Sequence, residues 1–268
     1  MYLDDIVWGH TSEEHYQRLA AVLERFQSTG LRLKPKKCKF FQMEVSFLGH
    51  LVSAEGVRTD PDKVAVIRSW LTPKNVMHVR SFLSLASYFH RFIAHFAEIA
   101  RLLHGLTNKS QKDFTWTDSC QEAFEQLQDA LVTAPVLTYP HLKYRYTLDT
   151  DASNCTIGAV LSQDGGQGEQ VIAYGSHVLT KSKHNGSHVL TKSKCNYCTT
   201  RKELLAVVHF VQYFKHYLLG QRFLLRTDHG SLRWLFNFRK PEGQTAHWLH
   251  ETRVFRFRYQ ASSRAQTP

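Results

Sequence analysis

From Tyr144 to Thr150 apolar and polar residues alternate, and an acid at Asp151 follows before the small residues Ala152 and Ser153. That period of two predicts a half-buried strand. Asp149 and Asp151, two apart, project from one face of it. Thr156–Gln163 and Gln170–Leu179 read as two further strands of an antiparallel meander, with a turn region at Gly165–Gly166. The period then changes. Thr199–Leu219 is the strongest predicted helix, with a buried stripe of Val207, Phe210, Val211, Phe214 and Leu218. Glu203 falls on that stripe, four residues before Val207. Phe223–Asp228 is another strand ending in an acid, Ser231–Phe236 a short helix, His247–Glu251 one more, and Val254–Tyr259 a last alternating strand.

The first half of the chain is mostly helical in period. Thr11–Ser28 predicts a helix with Ser12 as N-cap, acids in its first turn and a buried stripe of Leu19, Val22, Leu23 and Phe26, ended by Gly30. Val45–Val52 reads as a short hairpin. Asp60–Pro61 opens a helix carrying Val64, Ile67 and Trp70. After Pro73 a second runs Val76–Phe92, with Val79, Phe82, Leu83, Ala86 and Phe89 inward and Arg80 and Arg91 outside. A third follows Trp116, with Ala123, Phe124, Leu127 and Leu131 on one stripe. Pro135 and Pro140 mark the main boundary, dividing the chain into 1–59, 60–140 and 141–268.

The segment Gly175–Asn185 recurs as Gly186–Asn196 with a single difference, His184 against Cys195. One near-perfect copy is no solenoid, which needs three or more units. It reads as a tandem duplication that lengthens the loop before the Glu203 helix. Loop closure costs only about 0.6 kcal/mol per doubling of length, so the fold tolerates it.

Composition narrows the class of partner. Of 268 residues, 34 are Lys or Arg and 23 are Asp or Glu, a net charge of +11, which favours a polyanion, nucleic acid before membrane. Leu31–Phe41 is especially cationic, with Arg32, Lys34, Lys36, Lys37 and Lys39. The five cysteines form no framework, and the CxxC of Cys195–Cys198 has no second half, so a reducing compartment is expected and a zinc site is not. With no signal peptide and no apolar run near 18 residues, a soluble intracellular protein is expected, in cytoplasm, virus-like particle or nucleus.

Asp151 and Asp228 close two strands, and Glu203 lies near the start of the helix between them. Were the strands neighbours under that helix, three carboxylates would converge, which demands a cation; hard oxygen ligands select Mg²⁺ or Mn²⁺. Each acid also has an ordinary reading. Thr200–Glu203 matches a capping box, Asp228 could cap the next helix, and Asp151 could sit in a turn. Asp4 and Asp5, adjacent acids between apolar flanks, fit a tight hairpin presenting carboxylates to a metal, or any acidic turn.

With these residues in view, nearly the whole chain resembles the middle of a gypsy-class retrotransposon or endogenous retroviral Pol polyprotein. Tyr2-Leu-Asp-Asp5 resembles the reverse-transcriptase YxDD box, and Phe47-Leu48-Gly49-His50 the segment that grips the primer end. Val79–Ala86 with Tyr88–Ile93 resembles the thumb, although Ser84 stands where the family has Gly. Phe114–Trp116 and Ala134–Leu137 resemble the connecting segment. Thr150–Ser153, Arg201–Ala206 and Thr227–His229 resemble three acidic motifs of the tethered ribonuclease H domain.

The resemblance implies an α/β (α+β) architecture: the end of a polymerase palm (1–59), a helical thumb and connection (60–140), and a ribonuclease H-like mixed-sheet domain (141–268). It implies that Asp151, Glu203 and Asp228 hold two Mg²⁺ or Mn²⁺ for endonucleolytic cleavage of RNA in RNA–DNA hybrids. Asp4 and Asp5 are the polymerase-site acids, and Asp149 is the weaker candidate beside Asp151. Partners are an RNA–DNA hybrid, a primer–template duplex and the upstream part of the polyprotein, with no membrane. The remaining palm acid would precede Met1, so the chain is not expected to polymerise DNA alone. The family's fourth ribonuclease H acid has no counterpart before Pro268. An incomplete polymerase segment and a catalytically dead nucleic-acid-binding remnant are the alternatives.

Overall fold

The computed structural model describes residues 11–107, 114–166, 168–179, 197–230, 232 and 243–261. Asp4, Asp5, most of the duplicated segment, all but Leu232 of the helix expected at 231–236, and the end after 261 lie outside them. The chain divides into two compact units, up to Met43 and from Glu44 onward.

In the first unit, α1 (Ser12–Thr29) is capped one residue earlier than expected. Thr11, not Ser12, is the N-cap, its hydroxyl accepting the Glu14 N–H at 3.1 Å. Gly30 ends the helix in the left-handed region, φ 70°. The expected buried stripe is not realised. Leu19, Val22 and Phe26 are only half-covered and Leu23 is exposed, so no residue of α1 reaches a core.

The second unit opens with an antiparallel meander of β1 (Glu44–Phe47), β2 (His50–Ser53) and β3 (Gly56–Thr59). Phe47 pairs with His50, so Leu48 and Gly49 alone make the turn. Both have positive φ, 48° and 68°, the backbone of a type I′ turn. Helices follow: α2 (Pro61–Arg68), capped by Asp60; α3 (Val76–Tyr88), capped by Asn75; α4 (Phe96–Leu106); and α5 (Asp118–Val132), capped by Thr117. Their buried stripes form one core, in which Phe82, Phe89, Phe92, Phe124, Leu127 and Leu131 are almost wholly covered. The expected helix 76–92 ends at Tyr88 and continues as a tight turn, His90–Phe92. Helix α4 has no counterpart among the expected elements. Its N-cap, His95, makes no side-chain capping bond and has φ 55°, so the sequence carries no start signal there.

The remaining strands form a five-stranded mixed sheet in the order β6-β5-β4-β7-β8. Here β4 is Tyr146–Ala152, β5 Thr156–Asp164, β6 Glu169–Val178, β7 Arg222–Thr227 and β8 Arg256–Ala261. The meander β4-β5-β6 is antiparallel, whereas β4-β7 and β7-β8 are parallel. One face of the sheet carries α6 (Thr199–Tyr213), with Leu204, Val207, Phe210 and Val211 buried. Gly175 on β6 makes that packing possible: a Cβ there would lie 2.8 Å from the Phe210 ring. The helix expected as far as Leu219 breaks at Phe214, and a short α7 (Lys215–Leu218) leads to β7. A further helix, α8 (Gly243–Thr252), packs against α6.

Because residues alternate along a strand, Ser176 faces away from α6. Its hydroxyl accepts the Ala97 N–H from the start of α4 at 2.9 Å. The helical part therefore docks on the opposite face of β6 from α6. His90 and Tyr213 are joined by a hydrogen bond of 2.9 Å. His90 Nδ1 lies 2.6 Å from the Ser87 carbonyl, which can only accept, so in the neutral ring Nδ1 donates there and Nε2 accepts from the Tyr213 hydroxyl.

Candidate metal centre

Asp151 is the penultimate residue of β4, Asp228 immediately follows β7, and these strands are adjacent and parallel, with Thr150 opposite Thr227. Glu203 reaches the same place from the first turns of α6. One carboxylate oxygen from each of the three lies within 4.8 Å of the others. Spacing placed the three acids at two strand ends and a helix start; the parallel pairing of β4 with β7 brings them together.

Their surroundings are unequal. Asp151 and Asp228 are exposed, whereas Glu203 is 2% exposed. Burial, then the charges of Asp228 and Asp151, push the Glu203 carboxyl up to about 8. Hydrogen bonds from the Ala152 backbone and the Thr227 side chain act in the opposite direction without cancelling it. Glu203 Oε2 is buried with no hydrogen-bond partner. A capping role for Glu203 is excluded by position. The N-cap of α6 is Cys198, and Thr200 instead bonds the His229 ring at 2.9 Å.

An unpartnered buried carboxylate oxygen beside two exposed carboxylates fits a hard divalent cation. Neighbouring contacts hold the loop after β7: the His229 N–H reaches the Thr227 hydroxyl at 3.3 Å, and the Tyr259 hydroxyl donates to the His229 carbonyl at 2.9 Å. Lys202 is nearly buried, with Nζ 3.4 Å from Asn154 Oδ1.

Asp149 is directed elsewhere. Arg226, its register partner on β7, donates to both of its carboxylate oxygens and also to Glu169 on β6, at 2.8 and 2.9 Å. These contacts raise the Arg226 pKa further. The sequence offered only one hint of this bridge, a cation on the alternating face of β7.

The hairpin residues Phe47–His50 occupy the tip of the β1–β2 turn. Leu48 is exposed, and His50 is packed among Tyr88, Phe89 and Phe92, with ring centroids 5.3–5.5 Å away. Burial and the nearby Arg91 lower the His50 pKa. Asp4 and Asp5 lie outside the described residues. Among those residues no helix is long and apolar enough to cross a membrane.

Comparison with known proteins agrees with this architecture. Residues 141–255 match the RNase H-like domain found in reverse transcriptase, and residues 1–52 match reverse transcriptase (RNA-dependent DNA polymerase). The chain is thus a reverse transcriptase and RNase H-like region. Its relatives include the retrovirus-related Pol polyprotein from transposon 297 of Drosophila melanogaster, 35% identical over 96% of this chain and 23% of that polyprotein. The Pol polyprotein from transposon gypsy of the same fly is 32% identical over 95% and 25%.

The chain belongs to the gypsy-class retroelement Pol polyproteins, and spans about a quarter or less of the length of these relatives. In three dimensions it is similar to the foamy viral protease-reverse transcriptase in complex with RNA/DNA hybrid, with TM-score 0.79 and 22% identity over 97% of this chain and 34% of that one. A second structure of that viral enzyme, in complex with dsDNA, gives a TM-score of 0.75 at 21% identity, over 96% of this chain and 53% of that one.

Proposed function

We propose that this region cleaves the RNA strand of RNA–DNA hybrids at Asp151, Glu203 and Asp228. The observation that carries the reading is the convergence of their carboxylates within 4.8 Å around a buried, unpartnered oxygen. The three acids would hold two Mg²⁺ or Mn²⁺, whose chemistry when bound is to activate a water and to neutralise the leaving oxygen of a phosphodiester.

The chain's own residues account for the rest. Glu203, held by hydrogen bonds from the Ala152 backbone and the Thr227 side chain, would give up its proton on taking a cation. Asp151 and Asp228 stay exposed, where a phosphate can approach. Arg226 keeps Asp149 neutralised and outside the cluster. Basic residues of the helical part would follow the duplex backbone, and 2′-hydroxyl contacts would distinguish RNA. In this assignment 1–59 is the end of the palm, with Asp4 and Asp5 its metal-site acids and Phe47–His50 its primer contact. Residues 60–140 are thumb and connection, and 141–268 the ribonuclease H-like domain.

A labelled RNA–DNA hybrid incubated with the chain and Mg²⁺, beside Asp151→Asn, tests the reading. RNA cleavage that disappears in the variant supports it. Hybrid binding without cleavage replaces it with the second reading, a nucleic-acid-binding remnant.

A further inference from the structure

The Leu48–Gly49 turn is built against its sequence. A type I′ turn asks for two residues at positive φ, a demand that Asn-Gly meets best. Here the first position is leucine at φ 48°, a conformation that disfavours a side chain with no polar atom to bond locally. Nothing is gained by burying it, because Leu48 is 54% exposed. An apolar residue held in a disfavoured backbone and pointed at solvent calls for something that holds it there and something that it touches.

The holding group is Tyr88. This last residue of α3 donates its hydroxyl to the Leu48 carbonyl. Its ring lies flat on His50, the residue after the turn, at 5.3 Å and 10°. It also leaves room beside Gly49 only for ordinary contact, a Cβ there lying 3.6 Å from Tyr88 Cε1. The Gly49 carbonyl accepts the Asp60 N–H at 3.2 Å, so both turn carbonyls are tied down.

We infer that Tyr88 is a positioning residue: its hydroxyl sets the Leu48–Gly49 turn so that Leu48 meets the end of a nucleic-acid strand. The inference rests on the nucleic-acid reading above and adds to it a residue on the thumb helix that shapes the palm hairpin. Tyr88 itself acts through the turn. The strand end, with its unstacked terminal base and sugar, is the part of a duplex that offers an apolar surface to a leucine tip.

The test is binding of the full chain in EDTA, read by fluorescence anisotropy on two labelled hybrids. One has a recessed DNA 3′ end; the other has the same base pairs with that end closed by a hairpin loop. Wild type is expected to prefer the open end. Tyr88→Phe, which keeps the ring stack, is expected to weaken binding to the open-ended hybrid about five- to tenfold, the weight of one net hydrogen bond, leaving the closed hybrid unchanged. In a Leu48→Asn background the turn forms from its own preference, so Tyr88→Phe is expected to have no further effect.

Equal loss on both hybrids, or no loss on either, overturns the inference. So does a hydroxyl effect of the same size in the Leu48→Asn background, where the turn no longer needs to be held. A wild type indifferent to the strand end also overturns it, while leaving the cleavage reading, tested separately at Asp151, untouched.

Discussion

Asp149 and Arg226 face each other across adjacent parallel strands and share two hydrogen bonds, 2.7 and 2.6 Å, only two residues before Asp151 and two before Asp228. The bridge sorts the acids of β4. One is neutralised and structural, and the other remains for the cluster. Planar guanidinium–carboxylate pairing of this kind fixes geometry as well as charge.

Arg226→Gln would leave Asp149 and Glu169 facing each other without their shared cation. The groups are partly exposed, so the expected loss is about 1–3 kcal/mol rather than the larger cost of a buried charge. Urea denaturation measures it. In a double-mutant cycle, Asp149→Asn with Arg226→Gln should cost less than the sum of the two single changes.

Glu203 makes metal-free stability depend on pH. Its folded pKa, about 8, lies above the usual 4.5, so between these values the folded state binds more protons than the unfolded one. Stability in EDTA is therefore expected to fall as pH rises from about 4.5 to about 8, and to level off above. Glu203→Gln should abolish that slope and make the metal-free protein more stable at about pH 8 than wild type. Equal slopes in the two proteins would contradict the assignment.

The same group links metal binding to proton release. At about pH 6.5 Glu203 carries its proton, and ligation displaces it, so Mg²⁺ binding should release about one proton, falling toward zero by about pH 9. Calorimetry in buffers of different ionisation enthalpy reads this number directly. In Glu203→Gln the release should vanish together with most of the affinity.

Gly175→Ala tests the fit of α6 on the sheet. The added Cβ meets the Phe210 ring at 2.8 Å, with Phe214 at 3.2 Å behind it. Overpacking at a backbone-fixed position is expected to cost about 1–3 kcal/mol. Thermal denaturation reads the loss, and because α6 carries Glu203, Mg²⁺ affinity should fall as well.

Much of this arrangement is legible in the chain, for physical reasons that differ by element. The strand leading to Asp151 shows a clean period of two, Phe223–Asp228 is a short apolar run closed by an acid, and Glu203 sits on an apolar stripe, where an unpaired acid is conspicuous. Val79, Phe82, Leu83 and Ala86, with Phe89 just past the helix end, announce the buried face of α3 in the same way. Helix α4 is hidden because its start at His95 lacks a capping side chain. The stripe of α1 looks buried because periodicity reports a face and says nothing of what covers it. The role of Asp149 is unreadable, since its partner lies 77 residues away and only the β4–β7 register reveals it. The capping box at Thr200–Glu203 is a true local pattern overridden by tertiary structure: Thr200 and Glu203 both turn to groups near the end of β7.

The parallel pairing of β4 with β7 also sets a clock. Asp151 and Asp228 can meet only after the meander, α6 and the whole crossover have been synthesised and folded, and such long-range parallel contacts form late. A ribosome-bound chain can therefore complete the helical core around Phe82 and Phe124 while its three acids are still apart.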